Sequence, residues 1–152
     1  MLSAFLSFDK TEGGTRMERV IVRRVSTITP ATGEPEVVSG EWVGALRTAP
    51  AELLLTFTEP VEGGKVFNRV IWRDGTLTVD RRGAASSRIA FRAGDTCSTE
   101  LSIPPLSLQM TVSTEEVLLL PTSCGVGFRV LFSSETGGEM RKTELIITAT
   151  PA

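Results

Sequence analysis

The chain has 152 residues, a net charge of −2, 41% hydrophobic and 22% charged residues, the size and balance of one ordinary globular domain. That composition excludes a disordered chain and lacks the basic excess on which nucleic-acid binding rests. It has nothing to attract an anionic membrane surface, and no stretch approaches the roughly 20 apolar residues of a spanning helix.

Met1 to Phe8 is apolar but carries no basic region, and Asp9 interrupts it too early for a secretory signal. Strand-like alternation begins only after Met17. Residues 1–16 are therefore expected to be a disordered or over-extended start, with the domain spanning 17–152. Glu12-Gly13-Gly14 reads as a translated purine-rich ribosome-binding sequence ahead of a natural start at Met17.

From Met17 onward, β-branched and apolar runs recur about every 8–12 residues between Gly and Pro, the spacing of an all-β sandwich or barrel. No segment holds a capped apolar stripe of helical period. The first strand is expected over 18–29, ended by Pro30. The second, 37–47, places Val38, Gly40, Trp42, Gly44 and Leu46 on one face, a small–large alternation suited to a tightly curved strand. A third, 53–59, aligns Leu53, Leu55 and Phe57, with Pro60 and Gly63-Gly64 as a loop. Strands over 66–72 and 76–81 flank Asp74-Gly75, the sharpest hairpin signal in the chain. Next come 87–92, with Ile89 and Phe91 on one face and Arg88 and Arg92 on the other, and 96–103. Pro104-Pro105 precedes a strand with Leu106, Leu108, Met110 and Val112. A separate apolar run, 117–120, ends at Pro121. The last two strands carry Val126, Phe128, Val130 and Phe132, then Leu145, Ile147 and Ala149 beyond the turn at Gly137-Gly138. About ten antiparallel strands in a flat sheet would leave long edges, so the sheet must close or fold on itself.

The chain has thirteen Arg but only Lys10, Lys65 and Lys142, with no His, no Tyr and Asn68 as the single Asn. Arg suits planar recognition of carboxylate or phosphate, although the scarce residues all have AT-rich codons, and codon bias accounts for the same skew. Cys97 and Cys124, expected on separate strands, lack the spacing and the His partners of a zinc site and are expected as buried reduced thiols.

Catalysis is hard to build from these residues. Without His, a Ser or Cys nucleophile lacks its commonest base, and no nucleophile elbow is present. Gly125-x-Gly127 lacks the Lys-Ser/Thr signature of a phosphate loop and the helix that follows one. Glu41, Glu59, Asp80 and Glu100 lie in or beside strands and are expected on the solvated outer face. All seven Phe are expected in the leader or on apolar faces, which argues against single-strand nucleic-acid binding.

Arg23 and Arg24 are consecutive in a strand and must face opposite ways. Either Arg24 shares a face with Val20, Val22 and Ile28, or Arg23 shares one with Ile21 and Val25; Arg69 and Arg73 likewise share a face with Phe67 and Ile71. The expectation is that these stems lie along the outer wall with their heads in water. The alternative is an inward Arg that anchors an anion at the barrel mouth, since a charge inside a barrel needs a carboxylate or a ligand beside it. Of Trp42 and Trp72, one is expected to plug a closed end as core; a ligand-facing Trp is the alternative.

Thr76-Leu77-Thr78-Val79-Asp80-Arg81-Arg82-Gly83, followed by Ser87-Arg88-Ile89-Ala90-Phe91-Arg92-Ala93-Gly94, resembles the YwiB-like family of bacterial proteins. The pattern there is Arg-x-Gly-x-x-x-Ser-[Arg]-Met-x-Phe-x-x-Gly. Arg81, Gly83, Ser87, Phe91 and Gly94 match it, and Ile89 replaces the Met. Leu106, Leu108, Met110, Val112 and Thr114, then Leu145-Ile146-Ile147, resemble its closing strands, so the likeness covers about 17–150. The resemblance implies a calycin-like or lipocalin-like β-barrel in a bacterial cytoplasm, with no established activity. Where the family carries an aromatic and a Thr-Pro-Tyr-Gly-like turn, this chain has Ile103-Pro104-Pro105-Leu106, which puts in doubt any ligand contact that depends on that corner.

Together these readings point to a non-catalytic barrel with no cofactor and no metal, holding a small ligand near one open end. Trp42, Arg81, Ser87 and Arg88 are the candidate ligand-binding residues. The alternative is an interaction or assembly factor that acts through a homodimer or a sheet edge.

Overall fold

The computed structural model describes residues 9–10, 14–120 and 122–152, the first pair through its backbone alone. Eleven strands make one antiparallel sheet: β1 (Asp9–Lys10), β2 (Arg16–Pro30), β3 (Glu36–Ala49), β4 (Glu52–Val61), β5 (Gly64–Arg73), β6 (Thr76–Gly83), β7 (Ser87–Phe91), β8 (Thr96–Ile103), β9 (Leu106–Leu120), β10 (Val126–Thr136) and β11 (Glu139–Pro151). Ten of them run in the order β7-β6-β5-β4-β3-β2-β11-β10-β9-β8, and β1 pairs with the start of β2. No α-helix occurs among the described residues. The expected start at Met17 concerns residues that fall largely outside the described ones.

The ends of this order meet. Ser86 and Ser102 exchange backbone hydrogen bonds of 2.8 and 2.9 Å. Thr99 Oγ1 donates to the Arg88 carbonyl at 2.8 Å. With so few links between β7 and β8, the sheet is a nearly closed barrel, and the exposed edges of a flat sheet are largely removed.

Alternation decides what fills it. Val20 and Val22 of β2, Leu46 of β3, Leu55 and Phe57 of β4, Val70 of β5 and Leu77 of β6 all face inward and are buried. Phe91, Val112, Phe128, Val130, Ile147 and Ala149 complete the core from the other strands. Trp72 packs against Phe128 with ring centroids 5.9 Å apart, and Phe91 against Phe132 at 4.8 Å.

Three expectations about elements are corrected. Residues 106–120 form one long strand, because Ser113 to Glu116 keep pairing with β10 through a bulge where the partner shifts from Glu116 to Thr114. Pro60 belongs to β4, opposite Lys65, and the turn contracts to Glu62-Gly63. Proline is tolerated there because β4 beyond Phe57 has no partner on its β3 side, so no ladder donor is missed. Cys124 lies in the β9–β10 connection rather than on a strand. Both cysteines are free thiols, and Cys97 packs against the core.

Candidate functional site

The β3–β4 ladder covers only Gly44 to Ala49 opposite Phe57 to Glu52. Above Gly44 the two strands part, and β3 stays paired to β2 alone as far as Glu36. Gly44 fixes this crossing: a Cβ there would lie 2.4 Å from the Thr56 carbonyl oxygen and 2.9 Å from Val22 Cγ2. Only hydrogen fits.

Arg24 reaches inward at the level where the strands separate. Its β3 neighbour is Gly40, which offers no side chain. The space above Gly40 is taken by the Trp42 ring, 2.3 Å from where a Cβ would stand. Trp42 stacks on Phe57 with centroids 5.0 Å apart, and the Arg24 guanidinium carbon lies 4.7 Å from the Trp42 centroid. Arg24 is thus seated on an aromatic pair by a cation–π contact and extends across the gap to β4.

There it meets Glu59. Arg24 Nη1 and Nη2 donate to the two carboxylate oxygens at 3.2 and 2.9 Å, the bidentate geometry that favours Arg over Lys. Arg81 Nη2 donates to Glu59 Oε1 at 3.1 Å, and Arg81 Nε to Asn68 Oδ1 at 3.2 Å. Asn68 Nδ2 donates in turn to Glu59 Oε1 and to the Val66 carbonyl, both at 3.3 Å. The side chains of Arg24, Glu59 and Arg81 are only 19, 12 and 27% exposed, and Asn68 is fully buried. Burial pushes the Glu59 carboxyl up, but hydrogen bonds and charge from Arg24, the charge of Arg81 and the Asn68 amide outweigh it and hold the group below its ordinary value.

This cluster borders a cavity of about 300 Å³ in one half of the barrel. Phe57, Asn68, Arg81 and Ser87 stand opposite one another across β4 to β7 as one continuous rung, and all four line it. Ile89, Phe91, Met110, Phe132, Leu145 and Ile147 supply an apolar remainder. The barrel thus keeps free space beside this cluster, in keeping with ten strands leaving more room than the eight that side chains just fill.

The structure brings together two of the four candidate residues, Arg81 and Ser87, on the cavity wall. Trp42 supports the site from behind, as the seat of Arg24. Arg88 is corrected: it lies on the outer face, 63% exposed, and pairs with Asp80 at 3.4 Å, because its neighbours Ser87 and Ile89 take the inward positions. The expectation that Arg stems lie outside fails for Arg24 but describes Arg23, which is exposed and pairs with Glu41. Glu59 and Asp80 are likewise not solvated outer-face residues. Glu59 points inward, and Asp80, 4% exposed, is covered on the outer wall by Arg82 and Arg88. Phe67, placed on an apolar face from sequence, is exposed on the outer wall.

Sequence reasoning set Glu59 on the outer face and gave Asn68 no role, yet the signal existed. Each continues an inward alternation, Leu53-Leu55-Phe57-Glu59 in one strand and Val66-Asn68-Val70 in the next. Among the described residues no cluster of His, Cys, Asp and Glu is placed to hold a metal ion, and no helix is long and apolar enough to cross a membrane.

The domain described as "Domain of unknown function (DUF1934)" matches residues 22–143 of the chain. The crystal structure of the YwiB protein from Bacillus subtilis superposes with a TM-score of 0.79 over 90% of this chain and 93% of that one, at 18% identity. The likeness at that identity is one of fold. No curated protein matches the chain.

Proposed function

We propose, from the premise that this chain belongs to the DUF1934 family, that it is a non-catalytic cytoplasmic protein of calycin-like design that binds one small molecule inside its barrel. The observation that carries this reading is the cavity of about 300 Å³ with Arg24, Ser26, Asn68, Arg81 and Ser87 on a mostly apolar wall. Small-molecule sites have this character, a mostly apolar concavity with a few converging polar groups. The wall offers hydroxyls at Ser26 and Ser87 but no acid or thiol beside them to act as base or nucleophile, which favours binding over turnover. Reduced Cys97 and Cys124 accord with the cytoplasm.

Native mass spectrometry of the full chain tests the reading. A retained small molecule, lost when Ile89→Trp fills the cavity, is the expected result. A protein that carries no adduct and takes up none from a mixed metabolite extract would sink it.

A second reading, self-association through a sheet edge, rests on the unpaired side of β3 from Glu36 to Val43. Val37 and Val43 on that strand are exposed, and Phe67 stands near Val43 across the outer groove. Free ladder groups beside apolar side chains suit strand addition. Light scattering decides it: a dimer that Val43→Lys dissociates supports this reading, and a monomer at high concentration removes it.

A further inference from the structure

We propose that the occupant of the barrel is a monoanionic amphiphile, a carboxylate-type head on a short apolar body, with its head held by Arg81 and Arg24. This deepens the ligand-binding reading and rests on it.

The wall of the cavity has a one-sided charge. Among the described residues, the ionisable ones that line it are Arg24 and Arg81, and no acidic one does. Glu59, their shared counter-charge, binds both guanidiniums without reaching the cavity wall. Two guanidiniums against one carboxylate leave one net positive charge facing a half-open, largely apolar space. An unbalanced charge of this kind is costly in a low-dielectric interior, and an anion of unit charge relieves it. A dianion would leave the surplus negative.

Donor capacity agrees with charge. The bonds to Glu59 and Asn68 occupy Nε and Nη2 of Arg81, and none from the described residues engages its Nη1. Arg24 spends Nη1 and Nη2 on Glu59, with none from the described residues at Nε. A guanidinium has five N–H donors and no acceptor, so what remains on both suits an oxygen anion. The Ser87 hydroxyl, opposite Arg81 on the neighbouring strand, adds a donor at the same level.

The remaining wall sets the body of the ligand. Ile89, Phe91, Met110, Phe132, Leu145 and Ile147 offer a polar tail no side-chain donor and, in the Met110 thioether, only a weak acceptor. The volume, at the small end of ligand pockets, admits a short chain or one ring rather than a long lipid.

Calorimetric titration of the full chain with octanoate, octan-1-ol and inorganic phosphate tests the assignment. Octanoate is expected to bind at least about tenfold more tightly than octanol, the worth of one charge-assisted hydrogen bond, and phosphate more weakly than either. Arg81→Gln should weaken octanoate at least about tenfold and octanol by much less, so that the two come to similar affinity. Met110→Trp, which leaves the arginine cluster intact, should weaken both. Octanol binding as tightly as octanoate, or phosphate matching octanoate, overturns the assignment and leaves a hollow ligand-binding barrel standing. If none of the three binds, and no other small molecule is retained, the ligand-binding reading falls and takes this one with it.

Discussion

Arg24 and Arg81 come from strands four places apart in the sheet order and close on a single carboxylate, at 2.9 and 3.1 Å from Glu59. That bridge spans the gap where β3 and β4 no longer pair, so side chains replace the missing ladder. Removing the carboxylate strands two guanidiniums in a poorly solvated place. Glu59→Gln is expected to lower unfolding stability by about 2–3 kcal/mol, somewhat less than the ~3–5 of a fully buried pair, because the amide oxygen still accepts and both guanidiniums keep some water. Urea denaturation measures this. A triple change of Arg24, Glu59 and Arg81 to Met should recover most of the loss, since it leaves no lone charge inside. If Glu59→Gln has no effect, the bridge does not hold the gap.

Acid should separate two glutamates with opposite behaviour. Glu59 is held below the ordinary carboxyl value of 4.5 in the folded protein, so the unfolded chain takes up its proton first as pH falls. Its contribution is fully present above that value and is lost as pH drops through the folded one. Glu18 is the reverse. Burial outweighs the opposing charge of Arg16 and lifts its carboxyl above 4.5, and its Oε2 has no hydrogen-bond partner among the described residues. Stability attached to Glu18 is therefore complete below 4.5 and is lost as pH rises through the folded value. Glu18→Leu, opposite Leu46 on β3, should add about 1 kcal/mol at pH 7, the low end of the cost of an unsatisfied buried group. The gain should shrink toward pH 4. A gain independent of pH would place its origin in packing instead of ionisation.

The strands were legible because period-two alternation is dictated by the pleat. Val38-Gly40-Trp42-Gly44-Leu46 and the Asp74-Gly75 turn both stand as the residues require, Asp74 with φ of 50° and Gly75 with 74°. What a single strand cannot show is register. Glu59 lies 35 residues from Arg24 and 22 from Arg81, and only the order of five strands, β2 to β6, brings the three to one level. A charge at the end of an apolar alternation therefore reads as solvated until its partners are known. The bulge in β9 was hidden for a similar reason. Ser113-Thr114-Glu115-Glu116 has the polarity of a turn, but its acids serve the outer wall, where Glu116 pairs with Arg129 at 2.6 Å and Glu115 with Lys142 at 3.3 Å.

The two glycines of β3 should fail differently. A methyl at Gly44 meets backbone, the Thr56 carbonyl, and Val22 besides, neither of which can withdraw without breaking the crossing of β3 over β4. Gly44→Ala is expected to cost about 3 kcal/mol, the upper end of overpacking penalties. A methyl at Gly40 meets only the end of the Trp42 ring, which has two side-chain torsions with which to move. Gly40→Ala should cost about 1 kcal/mol and shift tryptophan fluorescence as the ring leaves Phe57. It should also loosen Arg24. Equal penalties at the two positions would contradict this account of the curvature.

The seam between β7 and β8 is where the barrel should open first. Its links are the Ser86–Ser102 bridge and the Thr99 hydroxyl on the Arg88 carbonyl. Every other neighbouring pair among the ten strands is joined by a ladder of at least five residue pairs, the shortest being β6 with β7. Local opening follows the smallest number of protecting bonds, so amides of β7 should exchange faster than those of β2 or β10. Thr99→Val removes one link without changing side-chain shape and is expected to cost about 1 kcal/mol. Hydrogen exchange read by mass spectrometry should show the gain confined to β7 and β8. Ser87, Ile89 and Phe91 on β7 are also cavity wall, so a ligand in the barrel should slow that exchange, and Thr99→Val should weaken binding while leaving the Arg24–Glu59–Arg81 cluster in place. If exchange rises evenly over all strands, the barrel opens as a unit and this seam is no door to the cavity.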